Sequence, residues 1–216
     1  MINFKKYGKR CLSLFLAASM ILMPAVQIFA EEETAAATTD STQTAEEDRE
    51  TQRQNCYAIV PDSNSVENWP QGPATYADSA IVMDMNSGAV LYSKQIEKKH
   101  YPASITKLLT TLVALDNAEL TDTVEFSQDS ISFLEYGDAH IGMTPGEQIS
   151  MEDALYAVLL ASANEVSYAV AESVGKKMGG GYDTFIQAMN DESEKLGCTG
   201  SHWTNANGLH DEQHYT

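Results

Sequence analysis

The sequence has 216 residues, enough for one domain, and carries 13 Lys and Arg against 31 Asp and Glu, a formal net charge of −18. Nucleic-acid binding relies on clustered basic residues that neutralise phosphates, so this composition excludes a nucleic-acid partner. The sequence has no internal repeat, which excludes a repeat protein.

The first thirty residues form a predicted signal peptide. Four basic residues between positions 5 and 10 precede an apolar run from Cys11 to Ala30. This order is typical of a secretion signal, and "QIFA" followed by "EEE" predicts cleavage after Ala30. The run also has about the length of a short membrane helix, so an uncleaved anchor stays open. We expect an exported protein that works outside the cytoplasmic membrane, with residues 1–30 as its signal peptide.

Residues 31–77 are expected to form an acidic, disordered spacer. The stretch "EEETAAATTDSTQTAEEDRETQRQ" has no aromatic or large aliphatic residue, so it cannot bury enough apolar surface to fold. Cys56 in the spacer and Cys198 near the end of the chain could pair in an exported protein, which the sequence leaves open. Residues 78–216 then form the folded part.

The folded part begins with a predicted β-hairpin. "SAIVMDMNSGAVLYSKQ" contains two runs of strand-forming residues around the turn residues Asn86, Ser87 and Gly88. Pro102 then leads into "SITKLLTTLVALDN", whose apolar residues leave little polar face. This pattern predicts a buried helix that starts near Ser104.

Further helices follow, but no later strand is convincing. The segment 150–177 opens with a pattern close to a capping box and continues as one long helix or as two helices that meet near Ser162. After a glycine run, residues 182–196 form an amphipathic helical pattern. A hairpin alone is not a stable sheet in water. We therefore expect the missing strands to lie beyond Thr216 and the chain to be cut off inside a domain.

The stretch "YPASITK" places a serine and a lysine three residues apart where the first helix starts. Such positions share a helix face about 5 to 6 Å apart, so Ser104 and Lys107 are predicted to touch. A serine nucleophile needs a base, and lowering the pKa of a lysine to about 7 costs roughly 4 to 5 kcal/mol. Lys107 lies among apolar residues with no other charge until Asp116, so burial is expected to supply that shift. The free N–H of Ser104 at the helix start is a candidate oxyanion donor.

A second Ser-x-x-Lys pair, Ser173 and Lys176 in "ESVGKK", offers an internal comparison. The motif is too short to be specific by itself. This second pair lies at a polar helix end beside another lysine, where the amine should stay hydrated and protonated. We predict that Ser104, not Ser173, is the nucleophile.

The stretch "LLASANEV" places Ser162 and Asn164 two residues apart inside an otherwise apolar helical run. Buried polar side chains need partners, and a break between two helices would let both residues face one cleft. We therefore expect Ser162 and Asn164 to join Ser104 and Lys107 in a single site.

The ordered set of a hairpin, "PASITK", "SAN" and "NGLHDEQHYT" resembles the serine-type D-alanyl-D-alanine carboxypeptidases of peptidase family S11. These are the low-molecular-mass penicillin-binding proteins, which trim peptidoglycan stem peptides. The resemblance covers residues 79–216. It implies an α/β (α+β) fold of the β-lactamase/transpeptidase type, in which an antiparallel sheet is flanked by a mostly helical subdomain. The C-terminal strands of that fold would be missing from this chain.

The resemblance also implies a role for each site residue. Ser104 would be the acylated nucleophile and Lys107 its base, while Ser162 would help to shuttle the proton and Asn164 would bind the substrate backbone. The serine would attack the penultimate D-alanine of a stem peptide, terminal D-alanine would leave, and water would release the shortened peptide. β-Lactam antibiotics would acylate the same serine. The resemblance implies no metal and no cofactor.

One element of that family is absent from these 216 residues. The family's K-T-G triplet, which binds the substrate carboxylate on a strand that supplies a second oxyanion donor, does not occur. Loss of one such donor typically costs about 10²- to 10³-fold in rate, so this chain alone is expected to have no useful turnover. The family's C-terminal domain and amphipathic membrane anchor would belong to a longer protein.

Other interpretations stay open. A class A β-lactamase would need a glutamate-bearing loop for fast deacylation, and neither Glu192 nor Glu194 is identifiable as part of one. A non-catalytic peptidoglycan-binding protein of the same fold would account for the missing K-T-G triplet. His210 and His214, together with His202, suggest zinc, but they lack the H-E-x-x-H order.

Overall fold

The computed structural model of the protein describes residues 32–216. The chain forms two compact units, of which the first ends at Asp78 and the second runs from Ser79 to Thr216. The predicted signal peptide lies outside the described residues. Within the described part, no helix combines the length and the apolar composition needed to cross a membrane.

The described part is mixed α and β, with helices dominating the second unit. Two short 3-10 helices, Asp62–Ser65 and Ala103–Ile105, supplement the regular elements. In chain order, the helices and strands are α1 (Glu32–Ala58), β1 (Ala80–Met83), β2 (Val90–Lys94), α2 (Thr106–Asn117), β3 (Thr123–Glu125), α3 (Asp129–Ser132), β4 (Gln148–Ser150), α4 (Met151–Leu160), α5 (Asn164–Lys177) and α6 (Tyr182–Lys195).

The first unit differs from the expected disordered spacer, because residues 32–58 form helix α1. Its sequence is rich in Ala, Glu, Gln and Arg, which have high helix propensity. Side chains one turn apart add to this, since Gln54 donates to Glu50 at 2.7 Å and Arg53 pairs with the same carboxylate at 3.6 Å. The helix therefore forms without the apolar face whose absence suggested disorder.

The predicted hairpin is present as strands β1 and β2. They pair antiparallel, with Ala80 opposite Lys94 and Val82 opposite Tyr92. At the turn, the N–H of Gly88 donates to the carbonyl of Asp84 at 2.8 Å, and Gly88 has a φ of +71°, which glycine adopts without strain.

A second sheet, formed by β3 and β4, is absent from the sequence prediction. The two strands pair antiparallel, with Val124 opposite Ile149. Each strand has only three residues, too few for an alternating pattern to stand out in the sequence. Val124 is nevertheless fully buried, so this small sheet is part of the helical core rather than an extension of the hairpin.

The core of the second unit is built around helix α5. This helix packs against α2, α3, α4 and α6, and nine of its fourteen residues are buried, among them Val166, Val170 and Val174. The buried apolar residues of the core come from these helices and from the segment after α6, where Trp203 and Ala206 are also buried. Within that segment, residues 204–208 lie against helix α2 and are called the tail loop below.

Helix α2 is buried on only part of its surface, and that part includes polar as well as apolar residues. Its polar residues Thr106, Lys107 and Thr110 are buried, whereas Leu108 and Leu115 are 63% and 50% exposed. The sequence therefore predicts the helix correctly but is wrong about burial on all sides. The polar face is buried because other parts of the second unit supply hydrogen-bond partners for it, and those partners form the candidate site.

Candidate active site

Ser104 lies at the mouth of helix α2, one turn before Lys107. The α-helix proper begins at Thr106 and is preceded by the 3-10 turn Ala103–Ile105, so the regular helix starts two residues later than the sequence predicts. Ala103 has a φ of +48°, a backbone conformation that costs a non-glycine residue about 1 to 3 kcal/mol. The turn leaves Ser104 exposed while the lysine behind it is buried.

Lys107 is only 2% exposed and points its amine at three oxygen atoms. The Nζ atom lies 3.3 Å from Ser104 Oγ, 2.8 Å from Asn164 Oδ1 and 2.6 Å from the backbone carbonyl of Asn207. Two of these partners are fixed acceptors, so the amine is held in one position with the serine hydroxyl as its third neighbour. The predicted contact between Ser104 and Lys107 is therefore present.

Burial lowers the pKa of the Lys107 amine to about 8, while the negative charges of Asp138 and Glu165 oppose that shift. An ordinary lysine is almost entirely protonated at neutral pH, whereas a group with a pKa of about 8 is neutral in about a tenth of molecules at pH 7. A neutral amine has a lone pair that can accept the serine proton. The site thus places a serine hydroxyl beside an amine that is chemically able to take its proton.

Ser162 and Asn164 lie at a break between two helices, which is one of the two arrangements that the sequence leaves open. Helix α4 ends at Leu160 and helix α5 begins at Asn164. Ser162 has a φ of +54°, and this turn directs its hydroxyl to Ser104 Oγ at 2.9 Å. Asn164 is 6% exposed, and its N–H donates to the carbonyl of Ala139 at 2.8 Å. The four residues singled out in the sequence therefore meet in one place.

The tail loop contributes to the site, which the sequence reasoning missed. The backbone carbonyl of Asn207 accepts from Lys107, and the carbonyl of Ala206 accepts from Thr110 Oγ1 at 2.7 Å. Backbone carbonyls carry no side-chain signal in a sequence. The only available clue was "NANG", a turn pattern in a stretch that the family resemblance already included.

Gly208 allows the tail loop to approach the turn that carries Ser104. It has a φ of +83°, and a Cβ atom built on it would overlap the backbone carbonyl of Ala103. Backbone atoms cannot rotate away from such an overlap. Only glycine fits here without displacing one of the two segments.

We expect Gly208→Ala to destabilise the protein by about 1 to 3 kcal/mol more than Gly146→Ala, because forced overpacking adds to the cost of the positive φ. Gly146 is the matched control, since its φ is +89° and a Cβ there would meet nothing within 4 Å. Urea unfolding of the two variants measures the difference. Equal losses of stability would show that the close approach to Ala103 has no energetic weight.

The second Ser-x-x-Lys pair has the ordinary surroundings that the sequence predicts. The Lys176 side chain is 59% exposed and pairs with Glu172 at 2.9 Å. Ser173 Oγ accepts from the N–H of Glu125 at 3.4 Å. The Lys176 amine therefore lacks the burial that sets Lys107 apart.

The histidines that suggested zinc do not gather into a metal site. His214 is buried against Thr106 and Thr204, and His202 contacts the carbonyl of Gln213 at 2.6 Å through its ring. Across residues 32–216, no three His, Cys, Asp or Glu side chains lie close enough together to hold a metal ion.

The fold and the geometry together define the class of protein. A serine at the mouth of a helix, a buried lysine one turn later and a Ser-x-Asn turn opposite them form the arrangement of serine–lysine acyl-transfer enzymes that bind penicillin. The comparison with known protein families narrows this class further. The family profile "D-alanyl-D-alanine carboxypeptidase", Peptidase_S11, matches residues 66–216, and the chain belongs to this family.

Individual relatives agree with this assignment. The chain is 32% identical over 145 residues to the D-alanyl-D-alanine carboxypeptidase DacF of Bacillus subtilis, covering 65% of this chain and 36% of that protein. It is 34% identical over 134 residues to a D-alanyl-D-alanine endopeptidase of Pseudomonas aeruginosa, covering 61% of this chain and 41% of that protein. The crystal structure of a D-alanyl-D-alanine carboxypeptidase from Mycobacterium tuberculosis superposes with a TM-score of 0.57 at 31% identity, covering 72% of this chain and 54% of that chain.

These matches confirm the predicted family and the predicted transpeptidase-like fold. The chain spans about two fifths of the length of the curated relatives that it matches, with coverage of 36% and 41% for the two given above.

Proposed function

We propose that the protein is a serine D-alanyl-D-alanine carboxypeptidase that removes the terminal D-alanine from peptidoglycan stem peptides. One observation carries this proposal: the Lys107 amine is buried, has a lowered pKa and lies within hydrogen-bond distance of both Ser104 and Asn164. The family membership of the chain narrows this general acyl-transfer chemistry to D-alanyl-D-alanine peptides.

In the proposed acylation, Lys107 acts as the base. The neutral amine takes the hydroxyl proton of Ser104, whose Oγ attacks the carbonyl carbon of the penultimate D-alanine. The N–H of Ser104 supports the oxyanion that forms. When the C–N bond breaks, the proton held on Lys107 reaches the departing amine through Ser162, whose hydroxyl lies 2.9 Å from Ser104 Oγ. Asn164 holds the lysine through Oδ1 and offers its amide N–H₂ to the substrate backbone.

Deacylation completes the proposed cycle. Water attacks the ester carbonyl of the acyl-enzyme, gives up one proton through the same groups, and releases the shortened peptide with Ser104 restored. A β-lactam ring offers an amide at the position of the scissile bond, so opening of the ring leaves the same ester on Ser104. The predicted signal peptide of residues 1–30 supports export, and the family membership of the chain supports a role at the peptidoglycan of the cell wall.

The test uses protein made from the complete natural reading frame that contains this chain. We expect it to release D-alanine from a peptide that ends in D-alanyl-D-alanine, measured with a D-amino-acid oxidase assay, and not from the same peptide ending in L-alanyl-L-alanine. Equal release from both peptides, or from neither, would contradict the proposal. A K-T-G triplet encoded downstream of Thr216 would support it independently.

The same protein preparation can be used to test for two related activities, those of an endopeptidase and of a β-lactamase. Because one of the relatives is a D-alanyl-D-alanine endopeptidase, a cross-linked peptide should also be tested as a substrate. If the protein cleaves the cross-linked peptide faster than the linear one, it is an endopeptidase and not a carboxypeptidase. A β-lactamase would release penicillin rapidly, whereas slow release supports the carboxypeptidase. Glu165, the acidic residue next to Asn164, is fully buried, and its Oε1 atom accepts from the N–H of Ile141 at 2.7 Å.

A further inference from the structure

The imidazole of His214 is buried between the tail loop and the first turn of helix α2. It is only 1% exposed, and its ring meets the ring of Trp203 edge-on at 5.4 Å. Its Nε2 atom lies 2.8 Å from the hydroxyl of Thr106, and its Nδ1 atom accepts from the N–H of Thr204 at 3.0 Å. Both ring nitrogens are therefore engaged, one with the helix and one with the loop.

These two contacts fix the protonation state of the ring. A backbone N–H can only donate, so Nδ1 of His214 must be without a proton and the single ring proton must lie on Nε2. From there it donates to Thr106 Oγ1. A second proton, placed on Nδ1, would face the N–H of Thr204 and break that contact.

The surroundings of the ring favour the neutral form. Burial lowers the pKa of His214, the charge of His202 lowers it further, and the charge of Asp211 acts in the opposite direction. These are the titratable groups with an electrostatic effect on the ring, and Thr106 on helix α2 and Trp203 before the tail loop contribute no charge.

Thr106 connects this buried contact to the catalytic lysine. It is fully buried and directly precedes Lys107, so its position sets the direction in which the lysine side chain leaves the helix. The same loop that holds His214 through Thr204 also supplies the Asn207 carbonyl, 2.6 Å from the lysine amine. One histidine thus ties the helix turn to the loop on either side of Lys107.

We propose that His214, neutral and protonated on Nε2, is a positioning residue that holds the first turn of helix α2 so that Lys107 reaches Ser104. Its protonation breaks the contact with Thr204, so the first turn of helix α2 is no longer tied to the tail loop. Acylation is then lost at low pH by two routes, the protonation of Lys107 itself and the protonation of His214. This inference rests on the proposed function, since it concerns the base of that reaction.

The test measures acylation by fluorescent penicillin in protein from the complete reading frame, with saturation curves from pH 5 to pH 9. His214→Leu removes both contacts of the ring. Thr106→Val removes only the hydroxyl that His214 contacts and keeps the shape of the side chain. It therefore tests the same contact if His214→Leu does not fold. His202→Leu is the matched control, because it removes a histidine of the same segment whose ring contacts the carbonyl of Gln213 and not helix α2.

We expect the limiting rate of acylation to fall about 10- to 100-fold in His214→Leu and Thr106→Val, since small displacements of a catalytic group have effects of that size. The half-saturating penicillin concentration should stay within about threefold of the wild-type value, because the positioning role acts on the chemical step. In the acid range, the logarithm of the wild-type rate should fall with a slope of two per pH unit below the pKa of His214. Both variants should show a slope of one.

Several results would overturn the inference. Wild-type rates and slopes in the variants would show that the ring has no positioning role, and an equal effect of His202→Leu would show a general structural effect. A change in half-saturation with an unchanged limiting rate would assign His214 to binding. Wild-type protein that takes up no penicillin at all would instead refute the proposed function, so the two failures are distinguishable.

Discussion

Ser104→Ala should abolish covalent labelling by penicillin, with a loss of at least about 10³-fold in the rate of acylation. The hydroxyl of Ser104 is the atom that would form the ester, and it lies 3.3 Å from the Lys107 amine and 2.9 Å from Ser162 Oγ. Without that oxygen the base has no proton to take and the site has no nucleophile. Intact-mass spectrometry after incubation with benzylpenicillin, on protein from the complete reading frame, measures the loss.

Ser173→Ala is the matched control, because Ser173 is the first residue of the other Ser-x-x-Lys pair. Its partner Lys176 is ion-paired with Glu172, so this substitution should leave labelling at the wild-type level. Ser104 is exposed, and its replacement should change the free energy of unfolding by no more than about 0.5 kcal/mol. Penicillin that still attached to Ser104→Ala, or that no longer attached to Ser173→Ala, would assign the nucleophile elsewhere.

The sequence predicts the central contact of the site because that contact is local. Ser104 and Lys107 are one helical turn apart, so helix geometry alone brings them together. The burial of Lys107 is also predicted from its apolar neighbours, but Ile105 and Leu108 are exposed, and the amine is buried against Asn164 and the tail loop instead. Ser162 and Asn164 required one further step, the inference that two polar residues in an apolar helical run mark a break between helices, and helices α4 and α5 do separate there.

The contacts of the tail loop were beyond the sequence for a physical reason. Asn207 lies a hundred positions from Lys107 and acts through its backbone carbonyl, which every residue type possesses. His214 lies 108 positions from Thr106, and its spacing to other histidines suggested a metal rather than a hydrogen bond. Contacts over such separations depend on how the helices pack, and that packing is not encoded in any local period.

The burial of helix α2 is a second feature that the sequence alone could not predict. Periodicity indicates which residues are apolar, but it does not show which face finds partners. The polar face is buried because Asn164 and the tail loop accept hydrogen bonds from its side chains. Leu108 and Leu115, in contrast, are exposed. These partners lie far from helix α2 in the sequence, so the periodicity of the helix alone could not predict which of its faces is buried.

Lys107→Met should reduce acylation by penicillin by about 10² to 10⁴-fold while the protein remains folded, the range that a general base contributes. Methionine fills a similar volume without an amine, so it removes the base and leaves Ser104 in place. Its cost is that Asn164 Oδ1 and the Asn207 carbonyl each lose a donor, about 1 to 3 kcal/mol for each buried acceptor, partly offset because no amine has to be desolvated.

The pH dependence separates the loss of a base from a loss of shape. Only neutral Lys107 accepts a proton, and its pKa is about 8. The wild-type rate should therefore rise about tenfold per pH unit between about pH 6.5, the ordinary pKa of a histidine, and pH 8, and should level off above about pH 9. The folded pKa lies below the ordinary value of 10.5, so the unfolded chain holds the proton more tightly. The free energy of unfolding should therefore increase as the pH rises from about 8 towards 10.5, and this increase should be absent in Lys107→Met.

Lys176→Met is the control for both measurements, since Lys176 occupies the same place in the second Ser-x-x-Lys pair and is largely exposed. It should retain the wild-type acylation rate and the wild-type rise with pH. Urea unfolding at pH 7 and pH 9.5, combined with penicillin acylation over the same range, supplies the data. A residual acylation rate in Lys107→Met that still rose through pH 8 would show that a different group is the base. A flat wild-type profile would show that the Lys107 amine does not need to lose its proton, and with it the serine–lysine mechanism would be wrong.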